Sequence, residues 1–150
     1  EPSFRPAAGI ARFQTGTPSI LALAALDCGL ATFDGIAMTA VEERSRQLSQ
    51  AFIEAVEQRC GSAVRLASPR GPTQRASHVV FAHPHGYAVV QALIDRKVIG
   101  DFRAPDLMRF GFAPLYNSLA DVLAAADALG DVLDSGAWDQ PRFRLRSKVT

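Results

Sequence analysis

The second half of the chain alternates between short strand patterns and helical patterns, and this alternation limits the fold more than any other feature of the sequence. Ser118 and Asp121 add the spacing of a capping box at the start of the last helical pattern. The predicted elements are strands 77–83, 98–102 and 107–112 and helices 87–96 and 119–133. They indicate an α+β fold class, in which a small, mainly antiparallel sheet carries its helices on one face.

Two further helices are predicted in the first half. The first takes Thr17 as its N-cap and Pro18 as its first residue, and it ends at Gly29 after a run that is apolar almost all round. Such a helix is typically buried. The second, over residues 35–60, has one apolar and one charged side and is long enough to connect two parts of a protein. Outside the helices, residues 10–13 predict a short extended segment and residues 68–77 a turn region between two strands.

Composition and charge exclude several classes of protein. With 150 residues, 48% of them hydrophobic, the chain suits one globular domain with a real core, and not a disordered or fibrous protein. The net charge is +1 and the basic residues are spread among acidic ones, so no nucleic-acid partner is expected. The one basic run places Arg142, Arg144 and Arg146 in alternation with apolar residues, which predicts an edge strand or a tail.

The cysteines and the hydropathy pattern indicate a cytoplasmic location. Cys28 and Cys60 lie far apart within apolar helical patterns, so reduced core thiols are expected rather than a disulfide. No stretch approaches the length of a membrane span, and no membrane partner is expected. Because the sequence starts with glutamate and not methionine, we expect it to be a piece of a longer protein.

An arginine interrupts the apolar strand pattern LMRFGF. In an extended segment Met108 and Phe110 point to one face, and Arg109 and Gly111 point to the other. Gly111 has no side chain, so the guanidinium would be open to a carboxylate, which it can bind with two parallel hydrogen bonds. The alternative is a solvated arginine on a half-exposed sheet, and the pattern alone favours that alternative.

The stretch GTPS is a second candidate anion site. A helix that starts at Thr17 would offer free backbone N–H groups and the positive end of its dipole, and Gly16 would let an anion approach closely. A phosphate would suit this position. An ordinary capped helix explains the same residues equally well.

The remaining polar residues form no catalytic constellation. His83 and His85 have a spacing that can serve a metal, but no carboxylate or cysteine cluster accompanies them, so a proline turn is favoured and no metal is expected. No nucleophile elbow, phosphate-binding loop or dinucleotide fingerprint occurs. Trp138 is predicted to anchor the tail to the body of the domain.

Three phrases of the sequence closely resemble the C-terminal part of bacterial kynureninases, which are pyridoxal-phosphate enzymes of the aspartate-aminotransferase fold type. The phrases are RFQTGTPSILALAALDCGL, FAHPHGYAVVQALIDRKVIGDFRAPDLMRFGFAPLYNS and a closing helix with W-x-x-P-x-F, and together they cover nearly the whole chain. The resemblance implies the end of a large domain with an active-site helix at 1–34, a connecting helix at 35–60, and the small C-terminal α+β domain of a fold-type I enzyme at 61–150.

The resemblance also assigns roles to residues. Thr17 would contact the phosphate of pyridoxal 5'-phosphate, from the neighbouring subunit of a homodimer, and Gly16 would line the pocket beside it. Arg109 would pair with the carboxylate of an amino-acid substrate. The family needs in addition a lysine that binds the cofactor and an aspartate that keeps the pyridine nitrogen protonated. Lys97 and Lys148 are the only lysines and neither has that buried context, so the large domain with these groups would be missing.

The implied reaction of the longer enzyme is the hydrolysis of L-kynurenine to anthranilate and L-alanine in tryptophan degradation. No catalytic residue would lie in this chain, which is expected to be inactive alone. Two alternatives stay open. One is a class V aminotransferase or cysteine desulfurase relative, and the other is a free-standing α+β ligand-binding module.

Overall fold

A computed structural model describes residues 5–14 and 16–145. They divide into two compact units, of which the first ends at Ala37 and the second begins at Met38. The α-helices are α1 Ile20–Ala31, α2 Met38–Cys60, α3 Gly86–Asp95, α4 Leu119–Asp134 and α5 Pro141–Arg144. The strands are β1 Arg65–Leu66, β2 His78–Ala82, β3 Asp101–Arg103 and β4 Leu107–Gly111, and short 3-10 helices cover Gly9–Phe13, Gly61–Ala63 and Pro72–Gln74. None of the helices in these described ranges is long and apolar enough to cross a bilayer.

The second unit is built on one antiparallel sheet in the order β1-β2-β4-β3. The central pair, β2 and β4, aligns Val80 with Arg109, and the hairpin of β3 and β4 aligns Asp101 with Arg109. Along β4, Met108 and Phe110 are buried while the residues between them are not, as a period of two requires. The predicted α+β class and its small antiparallel sheet are confirmed.

The helices of this unit cover one face of the sheet. Phe52 of α2 is 1% exposed and its ring lies 6.1 Å from that of Phe81, 5.1 Å from that of Phe110 and 5.4 Å from that of Phe112. Burial of such a side chain stabilises the fold by about 2 to 3 kcal/mol. Arg109 lies on the opposite face of the sheet.

The helix α4 begins where the capping box predicts. The Ser118 side chain accepts the backbone N–H of Asp121, and the Asp121 carboxylate accepts the backbone N–H of Ser118. The carboxylate accepts hydrogen bonds from the backbone N–H and the hydroxyl of Ser118, and these lower the pKa of Asp121 because they favour its ionised form. The box satisfies two of the N–H groups that every helix start leaves without a partner.

Three boundaries in the second unit differ from the sequence prediction. The helix predicted from residue 35 begins at Met38, because Gly35 has φ +76°, which no right-handed helix contains. The strand predicted over 98–102 begins at Asp101, because Lys97 is left-handed (φ 66°) and continues the turn after α3. The basic run predicted as an edge strand or tail starts with the helix α5, because Pro141 suits a first helical position and Phe143 is buried. Arg146 lies outside the described residues.

The first unit also departs from its predictions. Residues 10–13 form part of a 3-10 helix and not an extended segment, since Gly9–Phe13 is exposed and pairs with no strand of the part of the chain that the structure describes. The helix α1 continues through Gly29 to Ala31. The prediction that α1 is buried is wrong for this unit, because an all-round apolar helix needs more surrounding chain than the rest of the unit supplies.

The two cysteines are free, as predicted, but their environments differ from the prediction of two core thiols. Cys28 is exposed on α1, where no apolar layer covers it. Cys60 is half-buried at the end of α2, and this burial raises the pKa of its thiol.

Candidate functional site

Arg109 is held on a strand that is paired on both sides. The strand β4 lies between β2 and β3, so the backbone at Arg109 is fixed opposite Val80 on one side and Asp101 on the other. Its side chain is 39% exposed, on the face away from Met108 and Phe110. The side chain orientation predicted from the alternating pattern is confirmed.

The guanidinium of Arg109 is bound by the carboxylate of Asp101. Arg109 Nε donates to Asp101 Oδ1 at 3.1 Å and to Oδ2 at 3.0 Å, and Nη2 donates to Oδ2 at 2.5 Å. Arg103 Nη2 donates more weakly to the same Oδ2 at 3.4 Å. Asp101 thus occupies one edge of the guanidinium, the edge formed by Nε and Nη2.

The charge on Asp101 is stable in this arrangement. Partial burial pushes the pKa of Asp101 upwards, but the hydrogen bonds from Arg109 and Arg103 outweigh burial, and the pKa lies below its usual value of 3.8. The carboxylate is therefore ionised at neutral pH. One negative charge between two positive ones leaves a net charge of +1 in this cluster.

The second edge of the Arg109 guanidinium, formed by Nη1 and Nη2, is open to a ligand. Within residues 5–14 and 16–145, no group accepts a hydrogen bond from Nη1. Gly111 lies next on the same side of β4, and a Cβ added there would meet no atom within 4 Å. An approaching carboxylate would find two parallel N–H donors, and Gly111 adds no side chain beside them.

Asp101 is the site residue that sequence reasoning missed. The hairpin offered a signal, because a three-residue loop centred on Pro105 places Arg103 opposite Leu107 and Asp101 opposite Arg109. The strand predicted over 98–102 did not include residue 103, so the pairing of Asp101 with Arg109 could not be deduced from it.

Gly16 and Thr17 precede α1 in the first unit, and both are exposed. The prediction that Thr17 caps the helix is wrong, because Ser19 is the N-cap and its side chain accepts the backbone N–H of Ala22 at 3.4 Å. Serine is as good a cap as threonine, and it lies directly before the apolar run, so Pro18 stays outside the helix. The Thr17 hydroxyl is consequently released from capping.

The space around Gly16 is also open. A Cβ on this residue would meet nothing within 4 Å, and the first N–H groups of the twelve-residue helix α1 follow a few residues later. Gly16 and Thr17 belong to the first unit and Arg109 to the second.

The histidine pair forms an aromatic cluster with Trp138. The ring of His85 stacks on Trp138 at 4.6 Å between centroids, and the ring of His83 meets Trp138 edge-on at 5.7 Å. His83 Nδ1 accepts the backbone N–H of His85 at 3.1 Å. The predicted role of Trp138 as a tail anchor is confirmed. Among the described residues, no group of three or more histidine, cysteine or acidic side chains could hold a metal.

Lys97 is the one lysine among the described residues. Lys97 is exposed in the turn after α3. Lys148 lies outside the described residues.

Comparison with known proteins gives a consistent result. A family model described as "Kynureninase C-terminal domain" matches residues 41–129. Over its full length the chain is 48% identical to the protein named kynureninase from Pseudomonas fluorescens. It is 47% identical to those of Burkholderia mallei strain SAVP1 and Burkholderia pseudomallei strain 1106a. The chain spans 36% of the length of each of these relatives.

Proposed function

Because the chain belongs to the kynureninase C-terminal domain family, we propose that it is part of a pyridoxal-phosphate enzyme that hydrolyses L-kynurenine to anthranilate and L-alanine. The chain spans 36% of the length of its relatives, so the reaction is that of the longer protein. The observation that carries the proposal is the open Nη1–Nη2 edge of Arg109 on a strand paired on both sides.

Arg109 binds the α-carboxylate of the substrate. A planar fork with two donors fixes both the position and the plane of a carboxylate, which a single ammonium group does not do. When the amino-acid end is fixed, the bond to be cleaved is held in one orientation to the cofactor, and the entropy cost of that alignment is met during binding. The net positive charge of the Arg103–Asp101–Arg109 cluster attracts the anionic end of the substrate.

The residues before α1 suit the phosphate of the cofactor. Thr17 offers a hydroxyl that no cap uses, Gly16 leaves the approach open, and the start of α1 adds the positive end of a helix dipole. Bound pyridoxal phosphate supplies an electron-withdrawing ring that makes carbon–carbon cleavage possible. Residues 5–14 and 16–145 contain no buried lysine that could bind the cofactor. The cofactor-binding lysine therefore belongs to the rest of the longer protein. A cytoplasmic homodimer, in which each subunit supplies Thr17 to its neighbour, completes the proposal.

Substitution of Arg109 by lysine in the full-length enzyme tests the carboxylate role. Lysine keeps the charge but loses the two-pronged geometry, so kcat/KM for L-kynurenine should fall about 100-fold. Anthranilate fluorescence measures the product. Arg103→Lys is the matched control, since Arg103 is 61% exposed and makes one long hydrogen bond, 3.4 Å, to Asp101 Oδ2, so the fall in kcat/KM should be several times smaller. Wild-type kinetics for Arg109→Lys would refute the role.

Substitution of Thr17 by alanine tests the cofactor contact. The apparent dissociation constant for pyridoxal phosphate should rise about tenfold, because one hydrogen bond to a charged group is lost. The control is Thr32→Ala at the other end of α1, where the hydroxyl donates only to the carbonyl of Gly29. An unchanged cofactor titration for Thr17→Ala would contradict the contact. If the longer protein were a class V aminotransferase or a cysteine desulfurase, the wild type would produce no anthranilate from L-kynurenine.

A further inference from the structure

We propose that Asp101 is a positioning residue for substrate recognition, which fixes the guanidinium of Arg109 so that its Nη1–Nη2 edge faces the substrate carboxylate. The inference rests on the proposed role of Arg109 in binding L-kynurenine. Asp101 would not touch the substrate, and its whole effect would pass through Arg109.

The hydrogen-bond geometry supports this role. A half-exposed arginine has several rotatable bonds and would otherwise sample many orientations. Bonds from Nε and Nη2 to one carboxylate fix the rotation of the guanidinium and its plane together. The edge left over carries two parallel N–H groups, which is the arrangement that a second carboxylate needs.

The position of Asp101 is itself fixed by the backbone. Asp101 pairs directly with Arg109 across the β3–β4 hairpin. The residue before it, Gly100, lies so close to β4 that a Cβ there would be 3.0 Å from the carbonyl oxygen of Arg109 and 3.2 Å from the ring of Phe110. The chain entering β3 therefore lies tightly against β4, which fixes the backbone of Asp101 beside Arg109.

The local charge explains why Asp101 does not repel the substrate. Arg103 donates to the same carboxylate, so two cations surround one anion and the cluster keeps one positive charge. An incoming carboxylate would meet the Nη1–Nη2 edge, because Asp101 occupies the neighbouring Nε–Nη2 edge of the guanidinium.

Asp101→Asn in the full-length enzyme is the first test. Asparagine keeps the size of the side chain but loses its charge, and only one of its two terminal atoms can accept hydrogen bonds from the Arg109 donors. KM for L-kynurenine should rise between about 10- and 100-fold, because a misaligned fork makes one good bond instead of two. Asp101→Glu should recover part of the loss. The control is Glu57→Gln, which removes a similarly exposed ion pair with Arg70 and should leave KM unchanged.

Two further measurements separate positioning from a structural role. In an Arg109→Ala background, Asp101→Asn should have no additional effect on kcat/KM, since the group through which it acts is gone. An inhibitor that is L-kynurenine without its carboxylate should bind wild type and Asp101→Asn equally well. If Asp101 served only to hold β3 to β4, both measurements would show a loss, and so would the melting temperature.

The outcomes also distinguish this inference from the proposed function. Normal kinetics for Arg109→Lys would overturn both. If kcat/KM falls in Arg109→Lys but KM is unchanged in Asp101→Asn, only the positioning role would be overturned. If Asp101→Asn also lowers kcat/KM in the Arg109→Ala background, the positioning role would be overturned as well.

Discussion

At the scale of single residues, Gly111 keeps the approach to Arg109 open. Its backbone is extended, so a side chain at this position causes no backbone strain, and a Cβ would meet no atom within 4 Å. Gly111→Val should therefore leave the melting temperature unchanged or slightly higher, because a β-branched residue suits a strand.

The same substitution should damage substrate binding. Valine would fill part of the space beside the guanidinium, and KM for L-kynurenine should rise about tenfold, the equivalent of about 1.4 kcal/mol. Gly111→Ala should give a smaller rise, so steady-state kinetics of the two variants form a graded pair. Equal KM values for wild type and Gly111→Val would mean that the ligand does not approach across this residue.

His83 gives the domain a stability that depends on pH. Burial, and to a lesser degree the neighbouring His85, lower the pKa of His83 below 6.5. The unfolded chain therefore binds a proton more readily than the folded one. The contribution of neutral His83 to stability is present above about pH 6.5 and is lost as the pH falls through the folded-state pKa. Protonation at Nδ1 would also break the bond from the His85 N–H.

Thermal melts of the full-length enzyme from about pH 8 to 5 test this dependence. His83→Gln should flatten the fall in melting temperature at the acid end relative to wild type. His78→Gln is the control, since His78 is exposed at the start of β2. An identical pH profile for wild type and His83→Gln would contradict the prediction.

The residues of the candidate site were predictable to different degrees. The outward direction of Arg109 follows from a period of two, because its neighbours Met108 and Phe110 must reach the core. Its partner Asp101 depends on the register of a hairpin, which periodicity does not specify. Ser19 and Thr17 are both suitable N-cap residues, so local sequence rules do not predict which of them caps α1.

At the scale of elements, the capping box makes the start of α4 a stability determinant. Ser118→Ala removes the side-chain acceptor for the Asp121 N–H and should lower the free energy of unfolding by about 1 kcal/mol. Chemical denaturation measures the change.

The control for this prediction lies at the other end of the same helix. Ser135 donates its hydroxyl to the carbonyl of Asp131, and exposed carbonyls at a helix end are readily satisfied by water. Ser135→Ala should cost clearly less than Ser118→Ala. An equal loss for both would show that the box adds nothing beyond an ordinary hydroxyl contact.

Elements with a clear period were predicted well, and elements fixed by tertiary contacts were not. The strands β2 and β4 and the helices α3 and α4 lie within about two residues of their predicted bounds, because each has a regular apolar face that packs in the core. The strand β1 has two residues, too few for any period, and exists only through its pairing with β2. The helix α5 depends on the burial of Phe143. The alternation of basic and apolar residues in this stretch predicts a strand or a tail instead of a helix.

At the scale of the whole molecule, the exposed apolar side chains of α1 should govern the behaviour of this chain in isolation. Ile20 is 80% exposed and Leu21 84%, and the other large apolar residues of the helix are also uncovered. Exposed apolar surface of this kind is typical of segments that another part of a protein covers. In isolation, residues 1–150 should bind a hydrophobic dye and associate at micromolar concentration.

A chain restricted to residues 38–150 is the comparison, because this unit contains the buried aromatic and aliphatic core. It should fold cooperatively, bind much less dye and scatter less light. If the shorter chain were the one that aggregated, α1 would not be the exposed surface that matters. Stable, monomeric residues 1–150 that bind a ligand unaided would instead favour a free-standing module. The predicted domain limits at residues 34 and 60 stay predictions.

The stretch DFRAPDLMR encodes both Asp101 and Arg109, with seven residues between them. Closing so short a loop costs little entropy, and the hairpin needs no distant segment to bring the two side chains together. Genetic exchange of this hairpin between relatives would move the arginine and the carboxylate as one inheritable unit. Under the proposed role of Arg109, the rest of the binding site could then change in evolution while the recognition of the substrate carboxylate is kept.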